Sequence, residues 1–143
     1  MNVEAILRSK GRAVATIRPD APITAALAAL TERNIGALVV STDGETVDGI
    51  VSERDIVRGL AQRGGAFLAE AVAAAMTPRV VTCSPEDNVA DLMVLVTNRR
   101  FRHLPVVDGG RLCGIVSIGD LVKSRLDEIE HEARSLRSFI SGP

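Results

Sequence analysis

Ser52 and Asp55, and again Ser117 and Asp120, are the residues of this chain best suited to hold a ligand. Each serine follows a Gly-Ile-Val run, Gly49-Ile50-Val51 or Gly114-Ile115-Val116, and opens a stretch of helical character. Backbone N–H groups at a helix start lack partners and carry partial positive charge, so anions bind there. The serine hydroxyl can cap the helix or donate to a phosphate oxygen. The aspartate three residues on lies one turn in, on the same side. Its carboxylate can accept hydrogen bonds from two vicinal hydroxyls, as on a ribose. A single Ser-x-x-Asp also has capping-box spacing, and on its own that reading is the stronger. Two copies after the same strand favour a pair of related sites.

The elements around these residues repeat as well. Gly49 to Asp55 returns as Gly114 to Asp120, 65 positions later. Arg18-Pro19-Asp20-Ala21 is echoed by Ser84-Pro85-Glu86-Asp87, and Val39-Val40 by Val106-Val107. An internal repeat means two copies of one small unit that share a core. In the first copy, Ala13–Ile17 reads as a strand ended by Pro19. Ile23, Ala26, Leu27 and Leu30 share one helical face, closed by Asn34 and Gly36. Ala37–Val40 and Val47–Val51 form a hairpin about the turn at Thr42–Glu45. A helix then runs from Ser52 to about Gln62. The second copy follows in order: a strand at Val80–Thr82, a helix from Asn88 with Val89, Leu92, Met93 and Val96 inward, strands at Leu104–Val107 and Leu112–Val116, and a helix capped by Ser117. Leu68–Met76 between the copies reads as a helix. The order strand–helix–strand–strand–helix implies an α+β fold of two packed units with pseudo-twofold symmetry. The expected limits are 1–67 for the first unit with an N-terminal helical segment, 68–125 for the second with its linker helix, and 126–143 for a C-terminal helical extension. Val122, Leu126, Ile129, Ala133, Leu136 and Ile140 are spaced 4, 3, 4, 3, 4, a heptad seam. It packs either on its own domain or on a second subunit.

Composition narrows the function. The chain has 143 residues with a net charge of −1, and nothing global points to nucleic acid or an anionic membrane. Trp and Tyr are absent, which argues against base-stacking platforms for single strands. No apolar run reaches the length of a membrane helix, and the N-terminus has no signal-type core. Cys83 and Cys113 lie in different copies without metal-ligand spacing, so free thiols, no metal and a cytoplasmic location are expected.

Beyond the two Ser-x-x-Asp elements, Thr16 and Thr82 before the prolines, the Met76-Thr77-Pro78 junction and Arg102-His103-Leu104-Pro105-Val106 complete a pattern that resembles the CBS domain, named for cystathionine β-synthase. It covers about residues 13–125. Two such domains in tandem form the Bateman module, also found in inosine monophosphate dehydrogenase and the γ subunit of AMP-activated kinase. The closest likeness is to small stand-alone bacterial pairs. The resemblance implies a regulatory, energy-sensing module with an adenine nucleotide, AMP, ADP, ATP or NAD, in the cleft between units, and no required cofactor. It implies ribose on Asp55 and Asp120, and phosphate near Ser52 and Ser117. Main chain around Thr16, Ile35, Gly36, Ala37, Val80 and Thr82 would line the base pocket, and Arg102 and His103, before Leu104-Pro105, would reach phosphates. Where the second copy has Arg102-His103, the first is expected to have Ile35-Gly36, short of charge unless Arg54, Lys10 or Arg12 compensates. The sites should therefore differ. The resemblance also implies a disc-shaped homodimer; the regulated protein is unknown.

Other candidates are weaker. Arg99, Arg100 and Arg102 cluster at a helix end, where solvation explains them without a ligand. His131 falls on the polar side of the last helix. A Cys83–His103 nucleophilic pair rests on no motif. No general acid–base pair or phosphate-binding glycine loop marks an enzyme. The rivals to a nucleotide sensor are an interaction and dimerisation module with vestigial pockets, and a nucleotide-processing enzyme.

Overall fold

A computed structural model describes residues 1–99 and 101–141. Arg100 lies outside the described residues. The order is α1 (Val3–Lys10), β1 (Thr16–Ile17), α2 (Ile23–Arg33), β2 (Ala37–Val40), β3 (Gly49–Ser52), α3 (Glu53–Arg63), 3₁₀ turns at Gly65–Ala69 and Val72–Ala74, β4 (Thr77–Pro78), α4 (Val89–Arg99), β5 (His103–Asp108), β6 (Arg111–Ser117) and α5 (Ile118–Ser141). The first half has a four-stranded sheet, β1-β2-β3-β4, with β1 parallel to β2 and the other pairs antiparallel. The second is built on the β5–β6 hairpin. This is the α+β pair of repeated units that the sequence implies.

Two expected elements differ. Val80–Thr82 is not a strand; Cys83 alone bridges to Val106, in the parallel sense of β1 on β2. Of this segment only Cys83 reaches the ladder: its N–H donates to Pro105 O, and its C=O accepts the Val107 N–H. Leu68–Met76 is not a continuous helix. The N–H of Val72 donates to Ala21 O and that of Ala73 to Pro19 O, so this backbone is tied to the first half rather than to its own next turn.

The same ties occur in the second half. Val3 N–H donates to Asp87 O and Glu4 N–H to Pro85 O. The N-terminal segment is thus the counterpart of the linker, and the two pack crosswise. Val3, Ile6 and Leu7 of α1 join Val89, Leu92, Leu104, Val106, Val116 and Leu121 in the second core. Phe67 and Val72 of the linker join Ile23, Leu30, Leu38, Val40, Val51 and Ile56 in the first. The glycines that open the repeated Gly-Ile-Val runs make this possible. A β-carbon on Gly114 would stand 2.6 Å from Leu7 Cδ2, and one on Gly49 2.8 Å from Met76 Sδ. Each strand admits a leading-segment side chain only because glycine is there.

α5 is one uninterrupted helix of 24 residues. Its first turns pack on α4 and β6, burying Leu121 and Ser124. The seam beyond them is uncovered: Leu126, Ile129, Leu136 and Ile140 are all exposed, as is Phe139. No described helix is long and apolar enough to cross a membrane.

Candidate functional site

Both Ser-x-x-Asp elements are reciprocal caps. Ser52 Oγ accepts the Asp55 N–H (3.2 Å), and Asp55 Oδ2 accepts the Ser52 N–H (2.9 Å) and hydroxyl (3.0 Å). Asp120 N–H donates to Ser117 Oγ at 3.1 Å, and Ser117 N–H to Asp120 Oδ2 at 2.8 Å. Capping fixes each carboxylate at the mouth of a helix N-terminus and leaves its Oδ1 without a hydrogen-bond partner among the described residues. The structural role and a ribose-binding role are compatible.

The two copies diverge around these caps. In register, Ala37 faces Ser52 across the first hairpin, and His103 faces Ser117 across the second. Glu53 N–H donates to Gly36 O, and Ile118 N–H to Arg102 O, both at 3.0 Å. Gly36-Ala37 is therefore the counterpart of Arg102-His103, one residue on from the expected Ile35-Gly36. The conclusion about charge is unchanged: the first copy lacks both basic side chains.

Lys10 supplies charge, at the second site rather than the first. Its Nζ donates to Asp120 Oδ2 at 2.6 Å and to Ile115 O at 3.0 Å. Burial pushes the Asp120 carboxyl up, but the Lys10 ammonium and the Ser117 N–H outweigh it and hold the carboxyl below its usual range. Arg12 pairs instead with Glu4. Burial, then the nearby Lys10 ammonium, holds the His103 imidazole below its ordinary value against the opposing charge of Asp120. Neutral imidazole is the form presented near pH 7.

A cleft of about 530 Å³ opens between the halves. Ala13, Val14, Ala15, Arg33, Ile35, Gly36 and Ala37 come from the first half; Lys10, His103, Ile115 and Ser117 come from the second half and the helix packed on it. A neighbouring hollow of about 690 Å³ shares His103 and Ser117 and adds Arg54, Val96, Thr97, Arg102, Ile118 and Gly119. Of the expected residues, Ile35, Gly36, Ala37, Arg54, Arg102, His103 and Ser117 line one or other of these hollows; Asp120 lines neither but is paired with Lys10, which lines the first. Thr16, Ser52, Asp55, Val80 and Thr82 line neither hollow. Leu104 and Pro105 are buried in β5 and line neither hollow; Leu104 joins the second core, and Pro105 pairs across the hairpin with Ile115, which lines the cleft. Arg33 and the Ala13–Ala15 segment line the cleft as well, though no motif in the sequence marks them. No group of His, Cys, Asp or Glu among the described residues could hold a metal.

The CBS domain family model matches residues 4–62 and 70–127. A CBS-domain-containing protein of Agrobacterium tumefaciens, solved by crystallography, is 46% identical, with a TM-score of 0.83 over 87% of this chain and 99% of its own. A CBS domain protein of Pyrobaculum aerophilum complexed with AMP is 26% identical, with a TM-score of 0.74 over 84% and 89%. The CBS domain pair of protein MJ0100, in complex with 5′-methylthioadenosine and S-adenosylmethionine, is 26% identical, with a TM-score of 0.76 over 91% and 98%.

Proposed function

The chain belongs to the CBS domain family as a tandem pair, and from that premise we propose that it is a regulatory module that binds an adenosyl nucleotide, AMP, ADP, ATP or NAD, between its halves. The observation that carries this is the Ser117–Asp120 cap, set beside His103 and Lys10 at the rim of a cleft to which both halves contribute. Asp120 offers a carboxylate for a diol. The α5 N-terminus, Arg33 and Lys10, with Arg54 and Arg102 next door, offer positive charge for phosphate. The apolar Ala13–Ala15 and Ile35–Ala37 walls suit a base. That related pairs hold AMP, methylthioadenosine or S-adenosylmethionine supports the adenosyl class.

The module acts by binding and not by catalysis. A ligand touching both halves sets their relative position, and with it any surface a partner reads. Burial pushes the Cys83 thiol up to about 12, which makes it a poor nucleophile. The uncovered face of α5 favours a homodimer as the assembly through which a shift is transmitted.

The test is mass spectrometry of small molecules released from the purified protein under denaturing conditions, together with thermal melts in AMP, ADP, ATP, NAD and S-adenosylmethionine. A bound adenosyl compound, or a melt raised by one of them, supports the reading. Ligand at 100 times Kd stabilises by about 2.7 kcal/mol, on the order of several degrees. A ligand-free protein whose melt none of them moves leaves an interaction module with vestigial pockets.

A further inference from the structure

We propose that Lys10 makes the cleft select adenosyl ligands that carry a phosphate over neutral ones that share the same ribose. The inference rests on the adenosyl reading above and concerns which adenosyl compounds the cleft accepts. Lys10 ends α1, 110 positions from Asp120, and the crosswise packing of α1 on the second half brings the two side chains to 2.6 Å.

The pairing leaves little room on Asp120 Oδ2. That oxygen accepts from the Ser117 N–H at 2.8 Å and from Lys10 Nζ at 2.6 Å. A carboxylate oxygen has two lone pairs, and both are engaged. A vicinal diol that grips both oxygens of Asp120 must displace one of these donors. The Ser117 N–H is fixed by the helix cap; Lys10, on a flexible stem, is the one that moves. Once displaced, its ammonium keeps Ile115 O and needs an anion. No carboxylate lines this cleft among the described residues, and Arg33 adds a second positive charge to its wall. A nucleoside phosphate supplies both parts of the exchange, hydroxyls to Asp120 and an anion to Lys10. Methylthioadenosine supplies only the first and leaves the ammonium without its carboxylate.

Calorimetric titration of the full chain with AMP and with 5′-methylthioadenosine tests this, in the wild type and in Lys10→Met and Lys10→Arg. The wild type is expected to prefer AMP by tenfold or more. Lys10→Met should reduce that preference about tenfold, a value at the low end for a charge-assisted contact because the side chain is partly solvated. AMP binding weakens, and methylthioadenosine binding holds or tightens because Asp120 is released. Lys10→Arg should keep the preference. A wild type without preference, or a preference unchanged in Lys10→Met, overturns the proposal while the adenosyl reading stands. Absence of binding by either compound overturns this proposal; the adenosyl reading falls with it when ADP, ATP, NAD and S-adenosylmethionine also leave the melt unmoved. Should Lys10→Met fail to fold, wild-type titrations at about 50 and 500 mM salt decide instead: AMP affinity must fall with salt more steeply than that of methylthioadenosine, and equal slopes sink the idea.

Discussion

A β-carbon on Gly36 would stand 3.8 Å from Cε1 of His103. Gly36 precedes β2 in the first half and His103 opens β5 in the second, so the halves come together across the cleft at this point. The contact is ordinary van der Waals distance, and the Gly36 backbone has no positive φ. Alanine is therefore tolerated there in both space and conformation. Gly36→Ala should bind ligand as the wild type does. Gly36→Leu should place its branches where a ligand lies, lowering affinity by more than tenfold, while stability stays within about 1 kcal/mol. Paired titrations and melts check this; undiminished binding in Gly36→Leu removes this part of the cleft from the site.

Asp120 and Asp55 cap equivalent helices, yet only Asp120 sits beside Lys10 and His103. Asp120→Asn should weaken adenosyl binding by about 10- to 100-fold, the scale of one or two charge-assisted hydrogen bonds. Asp55→Asn should weaken it less. Asparagine keeps an oxygen able to accept the capping N–H, so both variants should fold. Calorimetry decides: equal losses in the two variants would falsify the assignment of the second copy as the tighter site.

The hairpins and the paired caps were legible because their causes are local. Ala37–Val40 and Gly49–Ser52 are β-branched runs about a turn, and Ser-x-x-Asp at a strand end is a capping signal. Val80–Thr82 carries the same β-branched chemistry, but its pairing depends on where β5 lies, and only Cys83 meets it. Leu68–Met76 has helical composition, yet the carbonyls of Pro19 and Ala21 take the N–H groups of Val72 and Ala73. Lys10 could be flagged as a charge in search of a phosphate. Its true partner, Asp120, could not be found, because the contact exists only through the crosswise packing of α1. Leu104 and Pro105 follow Arg102-His103 in β5, and strand alternation places them on opposite faces: Leu104 in the core, Pro105 on the face of His103 and Ile115.

The crosswise packing has an energetic consequence. Leu7 is fully buried and fills the space that Gly114 leaves open. Leu7→Ala should cost about 2–5 kcal/mol by transfer and cavity terms. It should also loosen α1 and with it the seat of Lys10, so ligand affinity falls although residue 7 lines no cleft. Denaturant unfolding with parallel titration measures both. A loss below about 1 kcal/mol would mean that α1 is not part of the second core.

His103 gives the fold a pH response above the carboxylate range. Its folded-state value lies below 6.5, through burial first and then the Lys10 and Arg102 charges, with Asp120 opposing. As pH falls past 6.5 the unfolded chain takes up the proton first, so stability falls with pH until the folded imidazole also titrates. The contribution is complete above about pH 7 and is lost going downward. Melts from pH 7.5 to 5 should decline more steeply for the wild type than for His103→Gln. Parallel curves would show that His103 titrates alike in both states. Asp120, also held low, responds only below its ordinary value of 3.8 and leaves this window clear.

The last prediction concerns α5. Leu136, Phe139 and Ile140 are 63%, 86% and 76% exposed, while Glu130, Glu132 and Arg134 lie between the seam residues and are solvated; Glu128 instead turns to its own domain, paired with the Met1 amine and Arg125. A single chain gains nothing from a heptad seam beyond its own core. A second copy that laid its seam against this one would bury Leu126, Ile129, Leu136 and Ile140, each contributing roughly 1.5–3 kcal/mol when removed from water. Part of that is offset by the cost of association. Light scattering of the full chain at tens of micromolar should therefore give a dimer mass. A chain ending at Asp127 keeps Leu121 and Ser124 in the core, so its fold should survive while the dimer dissociates at concentrations at least tenfold higher. A monomeric full-length chain would end the dimer reading. An unchanged dimer after truncation would move the interface to the helices of the two units and leave the seam without a role in association.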